Sequence, residues 1–221
     1  MGDDLVVSKI ILLIMEWIGT ISFATSGSLV AIRHGLDLFG VATVGTITAV
    51  GGGVMRDLMI GNLPPKIFSN PKILIVAIIT SIVVFIIAYF YKKKFNQLSR
   101  VIDTVNVFFD ALGLAAFTIA GVEVAVLESG KNSALLIIVM GVVTGVGGGV
   151  LRDVLVNEKP YILTKHIYAV VSILGSCIYS LLSIYAGYTV FATFFVLIFT
   201  VFIRLLAAKY RWKLPKIDID E

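Results

Sequence analysis

Two copies of one pattern, Gly-Gly-Gly-Val-x-Arg-Asp, stand at Gly51–Asp57 and Gly147–Asp153, 96 residues apart and each inside a long apolar run. The agreement spreads outward from them. Gly45 matches Gly141, Thr48 matches Thr144, Val50 matches Val146 and Pro64 matches Pro160. In an earlier apolar run of each half, at an offset of 94, Glu16, Gly19, Phe23, Gly27 and Ala31 fall on Asp110, Gly113, Phe117, Gly121 and Ala125. The repeating unit therefore covers three apolar runs. If each run crosses a bilayer, three crossings leave the second unit entering from the opposite side, and the two copies are related by an axis in the membrane plane. Inverted repeats are a transport architecture, with the site or pore near the midplane at the repeat interface.

Composition supports reading the runs as membrane spans. Of 221 residues 58% are hydrophobic and 14% charged, whereas an ordinary soluble domain carries about 25% charged residues. A soluble enzyme and a disordered chain are both excluded. Crossing the ~30 Å hydrocarbon core takes about 20 mostly apolar residues, and seven such runs are present: Val7–Ala31, Leu38–Ile60, Ile73–Tyr91, Thr104–Leu127, Ser133–Val156, His166–Tyr185 and Tyr188–Ala208. The expected fold is all-α and integral to the membrane, an inverted 3+3 repeat plus a seventh helix. Its units are 1–91, 92–186 and 187–221, the last being the seventh helix and a basic tail. Only Ala186-Gly187 separates the last two runs, so six spans with one long bent helix is the competing layout.

The basic residues read as topology signals. The formal net charge is +4, but the lysines and arginines sit between apolar runs and leave no basic stripe for nucleic acid. With seven spans, twelve of them fall on the side of the C-terminus, among them Arg33, Lys92, Lys93, Lys94, Lys165, Arg204, Lys213 and Lys216, against Lys9, Lys66, Lys72 and Lys131 on the other. The positive-inside rule places the C-terminus in the cytoplasm and the N-terminus outside, in a multi-pass protein of the cell membrane. The N-terminal run, acidic at its start and holding Glu16, is expected to be a retained first span.

Arg56 and Arg152 are left inside spans, together with Asp57, Asp153, Glu16, Asp110 and Glu123. A charge at mid-membrane costs at least about 3 kcal/mol, so these groups face one another or water. By rise per residue, Glu16 and Arg56 lie about 9 and 7 Å from the same face. A Glu16–Arg56 pair is expected, with Asp110–Arg152 as its inverted twin. Such pairs serve either conduction or simple registration of neighbouring helices.

Three consecutive glycines cost a helix roughly 1 kcal/mol each relative to alanine. They free backbone to kink and to face a cavity, or else they allow close helix packing. Their occurrence at corresponding places of both halves favours breaks lining a wet path. The ion path is expected along Gly51, Gly52, Gly53, Gly147, Gly148 and Gly149, with Thr48, Thr144, Asp57 and Asp153. No metal site is expected: Cys177 is the single cysteine, and His34 and His166 stand apart near loops. Gly147–Gly149 lacks the Lys-Ser/Thr of a phosphate loop. With no nucleophile-base constellation in the chain, an enzyme is not expected, nor is any cofactor.

At the paired GGGxxRD motifs, each followed seven residues later by Pro64 or Pro160, the sequence resembles the prokaryotic branch of the trimeric intracellular cation (TRIC) channel family. The likeness covers nearly the whole chain. It implies a homotrimer in the lipid bilayer with one pore per subunit, the second and fifth helices kinked at the glycines, the first and fourth completing the wall, and potassium or sodium as permeant ions. Animal members carry a basic motif in the fourth helix; here Thr118–Val124 holds no lysine. Related bacterial sequences are also labelled glycine transporters. The expected function is a monovalent cation channel, with a secondary transporter of a small zwitterion such as glycine as the alternative, and a structural scaffold third.

Overall fold

The computed structural model describes residues 2–92, 97, 99–129, 133–164 and 167–212. Seven helices are long and apolar enough to cross a membrane: Val6–Arg33, Leu38–Ile60, Lys72–Phe90, Ser99–Ser129, Ala134–Leu155, Ile167–Tyr185 and Thr189–Lys209, here the first to seventh spans. They reproduce the seven apolar runs with small shifts at their ends, the fourth starting earlier, at Ser99. Two short helices, Lys66–Ser69 and Tyr161–Thr164, follow the second and fifth spans. Lys93, Lys94, Lys131, Lys165, His166, Lys213 and Lys216, considered above, lie outside the described residues.

Local chemistry sets the ends. Asp37 caps the second span by accepting the Gly40 N–H at 2.8 Å, and Ser133 caps the fifth by accepting that of Leu136 at 3.2 Å; each satisfies a donor that the helix start leaves free. The sixth span changes from α-helix to π-helix at Ser180–Tyr185. Gly187 then adopts φ +79°, a left-handed conformation that glycine takes without steric cost. The chain turns there, and the layout with one long bent helix is excluded.

The first and fourth spans, and the second and fifth, pack against each other in the middle of the molecule. The third lies on the first and second, the sixth on the fourth and fifth, and the seventh on the fourth and sixth. Central contacts come in exchanged pairs. Phe117 covers Gly19 while Phe23 covers Gly113, and the two rings touch at 5.3 Å between centroids. Leu151 covers Gly51 as Met55 covers Gly147; the Thr144 carbonyl lies against Gly52 as that of Thr48 lies against Gly148. Contacts in which i meets j and the repeat mate of j meets that of i are the signature of a two-fold relation.

These contacts correct the expectation that the triplets are breaks. The second and fifth spans are continuous α-helix through Gly51–Gly53 and Gly147–Gly149. A Cβ on Gly52 or Gly148 would overlap a backbone carbonyl of the opposite helix. The physical reason is the one known from membrane helix pairs, in which small residues let backbones approach and dispersion contacts offset the poor helix propensity of glycine. Four of the six glycines are thus spent on the helix crossing.

Bridges between loops agree with alternating spans. His34, after the first span, meets Glu158, after the fifth, at 3.1 Å. Lys66, after the second, meets Glu128, at the end of the fourth, at 2.7 Å.

Candidate ion path

Each Arg-Asp pair closes the last turns of its helix. Asp57 accepts from Arg56 Nε and Nη2 at 2.9 and 2.8 Å through Oδ1, and from the Lys66 backbone N–H at 2.9 Å through Oδ2. Asp153 repeats this with Arg152 Nε at 2.9 Å and the Tyr161 N–H at 2.8 Å. One carboxylate thus holds its neighbour's guanidinium and starts the following short helix. Two charge-assisted bonds on one oxygen and a capped donor on the other are a strong local arrangement. The doubled motif encodes this element as well as the crossing.

At the Arg56 end a cavity of about 260 Å³ opens among the first, second and third spans. Its lining includes Glu16, Thr20, Gly53, Arg56, Asp57, Lys66 and Asn70, with Phe117 also among the residues that bound it. The expected Glu16–Arg56 ion pair is absent among the described residues. Asp57, one residue along the same helix, already takes Arg56, and Lys66 is drawn to Glu128. Half-buried Glu16 is left facing the cavity as a carboxylate without an ion pair among the described residues. Phe117 is packed on Phe23, which is fully buried, so an apolar pair lies between this cavity and the other half of the molecule.

At the Arg152 end the equivalent groups are closed into a network. Arg152 is 0% exposed and donates through Nη1 to Asp110 at 2.8 Å and to Ser26 at 2.8 Å, so Asp110–Arg152 is a direct pair. Ser26 in turn donates to Asn106 at 2.8 Å. Asp110 takes a second guanidinium, Arg204 of the seventh span, at 3.4 Å. Arg204 lies 4.6 Å over the Tyr168 ring and Arg152 5.0 Å over that of Tyr161, distances at which a ring face attracts a cation. Two arginines and two aspartates balance, as buried charges must.

The ends differ for a legible reason. Ser81 and Ser176 occupy matching places against Gly45 and Gly141, and counting eight residues back from each reaches Ile73, which lines the cavity, and Tyr168, which fills its mate. Arg204 has no mate, since the seventh span lies outside the repeat. It is also a correction to the charge tally: counted there with the cytoplasmic residues, it is 3% exposed within a span. Its position four residues before the end of an apolar run was the available signal.

Of the other expected path residues, Gly53 lines the cavity and Gly149 lies against the Tyr168 hydroxyl. Thr48 and Thr144 do not line the cavity. Both are fully buried, bond the Val44 and Met140 carbonyls of their own helices at 2.6 Å, and pack against Gly27 and Gly121.

A family model described as Glycine transporter matches residues 13–89 and 107–184, the two three-helix units in turn. The chain is 36% identical over 210 residues to UPF0126 inner membrane protein YadS of Escherichia coli K12, covering 94% of this chain and 96% of that protein. Among solved structures it resembles a prokaryotic TRIC channel in 0.5 M KCl, at 33% identity and TM-score 0.79 over 93% of this chain and 100% of the other. The TRIC orthologue of Rhodobacter sphaeroides gives 27% identity and the same TM-score, 0.79, over 91% of this chain and 98% of that one.

Proposed function

The chain belongs to the family whose model is described as Glycine transporter and has the fold of the prokaryotic TRIC channels, and from that premise we propose that it is a passive channel for monovalent cations, with potassium or sodium as the permeant ions. The carrying observation is the cavity at the Arg56 end. Its lining brings the Glu16 carboxylate, which has no ion pair among the described residues, together with Arg56, Asp57 and Phe117. A carboxylate at a pore mouth raises the local cation concentration.

On this reading the path runs from the cavity, past Phe23 and Phe117, to the network around Arg152, and the structure is the shut form. Opening separates the two rings and parts Asp110 from one or both arginines, and the released carboxylate then faces the ion. Charge bias in the loops puts the Arg56 end outside and the Arg152 end in the cytoplasm. The inner membrane description of the E. coli relative supports a cell-membrane location, and the trimeric neighbours support a homotrimer with one path per subunit.

The carrier reading has an observation of its own. A cavity open at one end and closed at the other is also what an alternating-access protein presents, and Glu16 with Arg56 offers opposite charges to the two ends of glycine. Planar-bilayer recording under an asymmetric KCl gradient separates them. Unitary currents with a cation-signed reversal potential, reduced in Glu16→Gln, are expected. Silence in the bilayer with saturable, voltage-independent glycine uptake into liposomes would replace the channel by the carrier.

A further inference from the structure

The bridge between His34 and Glu158 suits one protonation state of the histidine. His34 follows the first span, and its ring stands between two acceptors. Nδ1 lies 2.9 Å from the Val30 carbonyl oxygen and Nε2 lies 3.1 Å from Glu158 Oε1. A carbonyl oxygen can only accept, so Nδ1 carries a proton. With that nitrogen donating, a neutral ring turns its remaining lone pair at Nε2 onto a carboxylate oxygen, whereas an imidazolium donates to both partners. The charged ring makes this contact and the neutral ring opposes it.

Glu158 is fixed by the turn that ends the fifth span. Asn157 is left-handed there, at φ 58°. Its N–H meets the Val154 carbonyl at 3.1 Å, and the Glu158 N–H meets that of Asp153 at 2.8 Å, which satisfies carbonyls that a helix end leaves free. Asp153 in turn holds Arg152. The bridge thus fastens the end of the first span to the turn that continues from the closed network. Val30, Ala31, Val41, Val44 and Val156 pack together beside it. Among the charged groups of the surrounding segments, Arg33 is held by Asp103 and Asp37 caps the second span. Lys92, Arg100 and Lys159 make no ion pair with His34 or Glu158 among the described residues.

The repeat mates of this pair do not reproduce it. The offsets of 94 and 96 set Glu128 against His34 and Asn62 against Glu158. The mate turn is otherwise alike, with Gly61 at φ 81° and the Asn62 N–H on the Asp57 carbonyl at 2.8 Å. Glu128 takes Lys66 there, and lysine is a residue type that does not titrate in the range of histidine.

We propose that His34 is a proton sensor that clamps the first span to the fifth when protonated, at the end that the loop charges put in the cytoplasm. The clamp is made at low pH and lost as pH rises through the range in which histidine titrates, roughly 5 to 8. Its loss loosens the closed end at Arg152. The effect on gating rests on the channel reading above, and the clamp itself does not. A half-exposed pair of this kind shifts an equilibrium by about two- to fivefold.

Hydrogen exchange of the purified full chain in lipid nanodiscs tests the clamp, read by mass spectrometry over residues 153–160 at pH 6 and pH 8 and scaled to the intrinsic exchange rate at each pH. Protection of the Asn157 and Glu158 amides is expected to be about threefold higher at pH 6. His34→Gln and Glu158→Gln remove that difference, and the mate turn at Gly61 and Asn62 does not show it. In planar bilayers the open-to-shut ratio is expected to be about threefold lower at cytoplasmic pH 6 than at pH 8, and constant in both variants. Protection independent of pH, a pH response that survives in His34→Gln, an equal response of the two turns, or currents indifferent to cytoplasmic pH each overturns the sensor. Protection that depends on both pH and His34, in a protein silent in the bilayer, supports the sensor and overturns the channel reading alone.

Discussion

Arg204→Met removes the component of the Arg152-end network that the repeat does not supply. In the parent, Arg204 reaches Asp110 at 3.4 Å, the longer of that carboxylate's two arginine contacts, and stacks 4.6 Å over Tyr168. Methionine keeps the apolar stem and loses the charge. Asp110 retains Arg152 at 2.8 Å, so the ~3–5 kcal/mol cost of orphaning a buried ion does not fall in full. The lost second pair and a desolvated cation–π contact together come to about 2 kcal/mol. If that energy holds the shut form, the open-to-shut ratio rises about 30-fold. Single-channel open probability in symmetric KCl at fixed voltage reads this directly, with Arg204→Lys intermediate. The unfolding midpoint drops by no more than about 8 °C. An open probability within twofold of the parent, in protein that remains folded, would refute the latch and leave Arg204 as a register-setting bridge.

Three further perturbations test other parts of the site. Gly52→Ala and Gly148→Ala push a methyl into the Thr144 and Thr48 carbonyls and should each lower thermal stability by about 1–3 kcal/mol. Gly53→Ala meets nothing nearer than Arg56 Nη2 at 3.7 Å and should be neutral or stabilising by up to about 1 kcal/mol; the contrast vanishes if all three glycines act as breaks. Asp110→Asn leaves two buried arginines short of a carboxylate and should cost about 3–5 kcal/mol, while Glu16→Gln, half-buried at the cavity wall, melts like the parent yet passes smaller cation currents. Phe117→Ala opens the ring pair and should raise potassium flux from liposomes although it destabilises the protein by about 3–5 kcal/mol; unchanged flux would remove the pair from the path.

The fold was legible because its determinants are periodic and local. Run lengths gave seven spans, and Gly187 marked the one doubtful turn. Asp110–Arg152 was also readable, since both groups lie at similar depth on adjacent spans. Glu16–Arg56 is not a direct pair although Asp110–Arg152 is, and depth does not separate them: the Arg-Asp contact is the same at both ends, and what differs is Arg204 on Asp110, which has no equivalent at Glu16 among the described residues. The triplets misled because backbone freedom and close approach demand the same residue. What separates the two uses is the carbonyl that faces Gly52 or Gly148, and it belongs to a residue roughly a hundred positions away. Arg204 and Tyr168 were missed because their role exists only beside Asp110, on a different helix.

The exchanged contacts explain why a duplicated chain still has two unlike ends. Near the two-fold centre each packing contact is made twice, so a substitution that loosens one half leaves the other mismatched, and glycines, Phe23, Phe117 and the Arg-Asp pairs are held together. Away from the centre the seventh span packs against the fourth and sixth but has no mate against the first and third. It delivers Arg204 to Asp110, and Tyr168 fills the space that Ile73 leaves open at the other end. The exchanged contacts therefore supply the interface between the halves, and the difference between its ends comes from two departures from that exchange, Arg204 on the unmatched helix and Tyr168 in the place of Ile73.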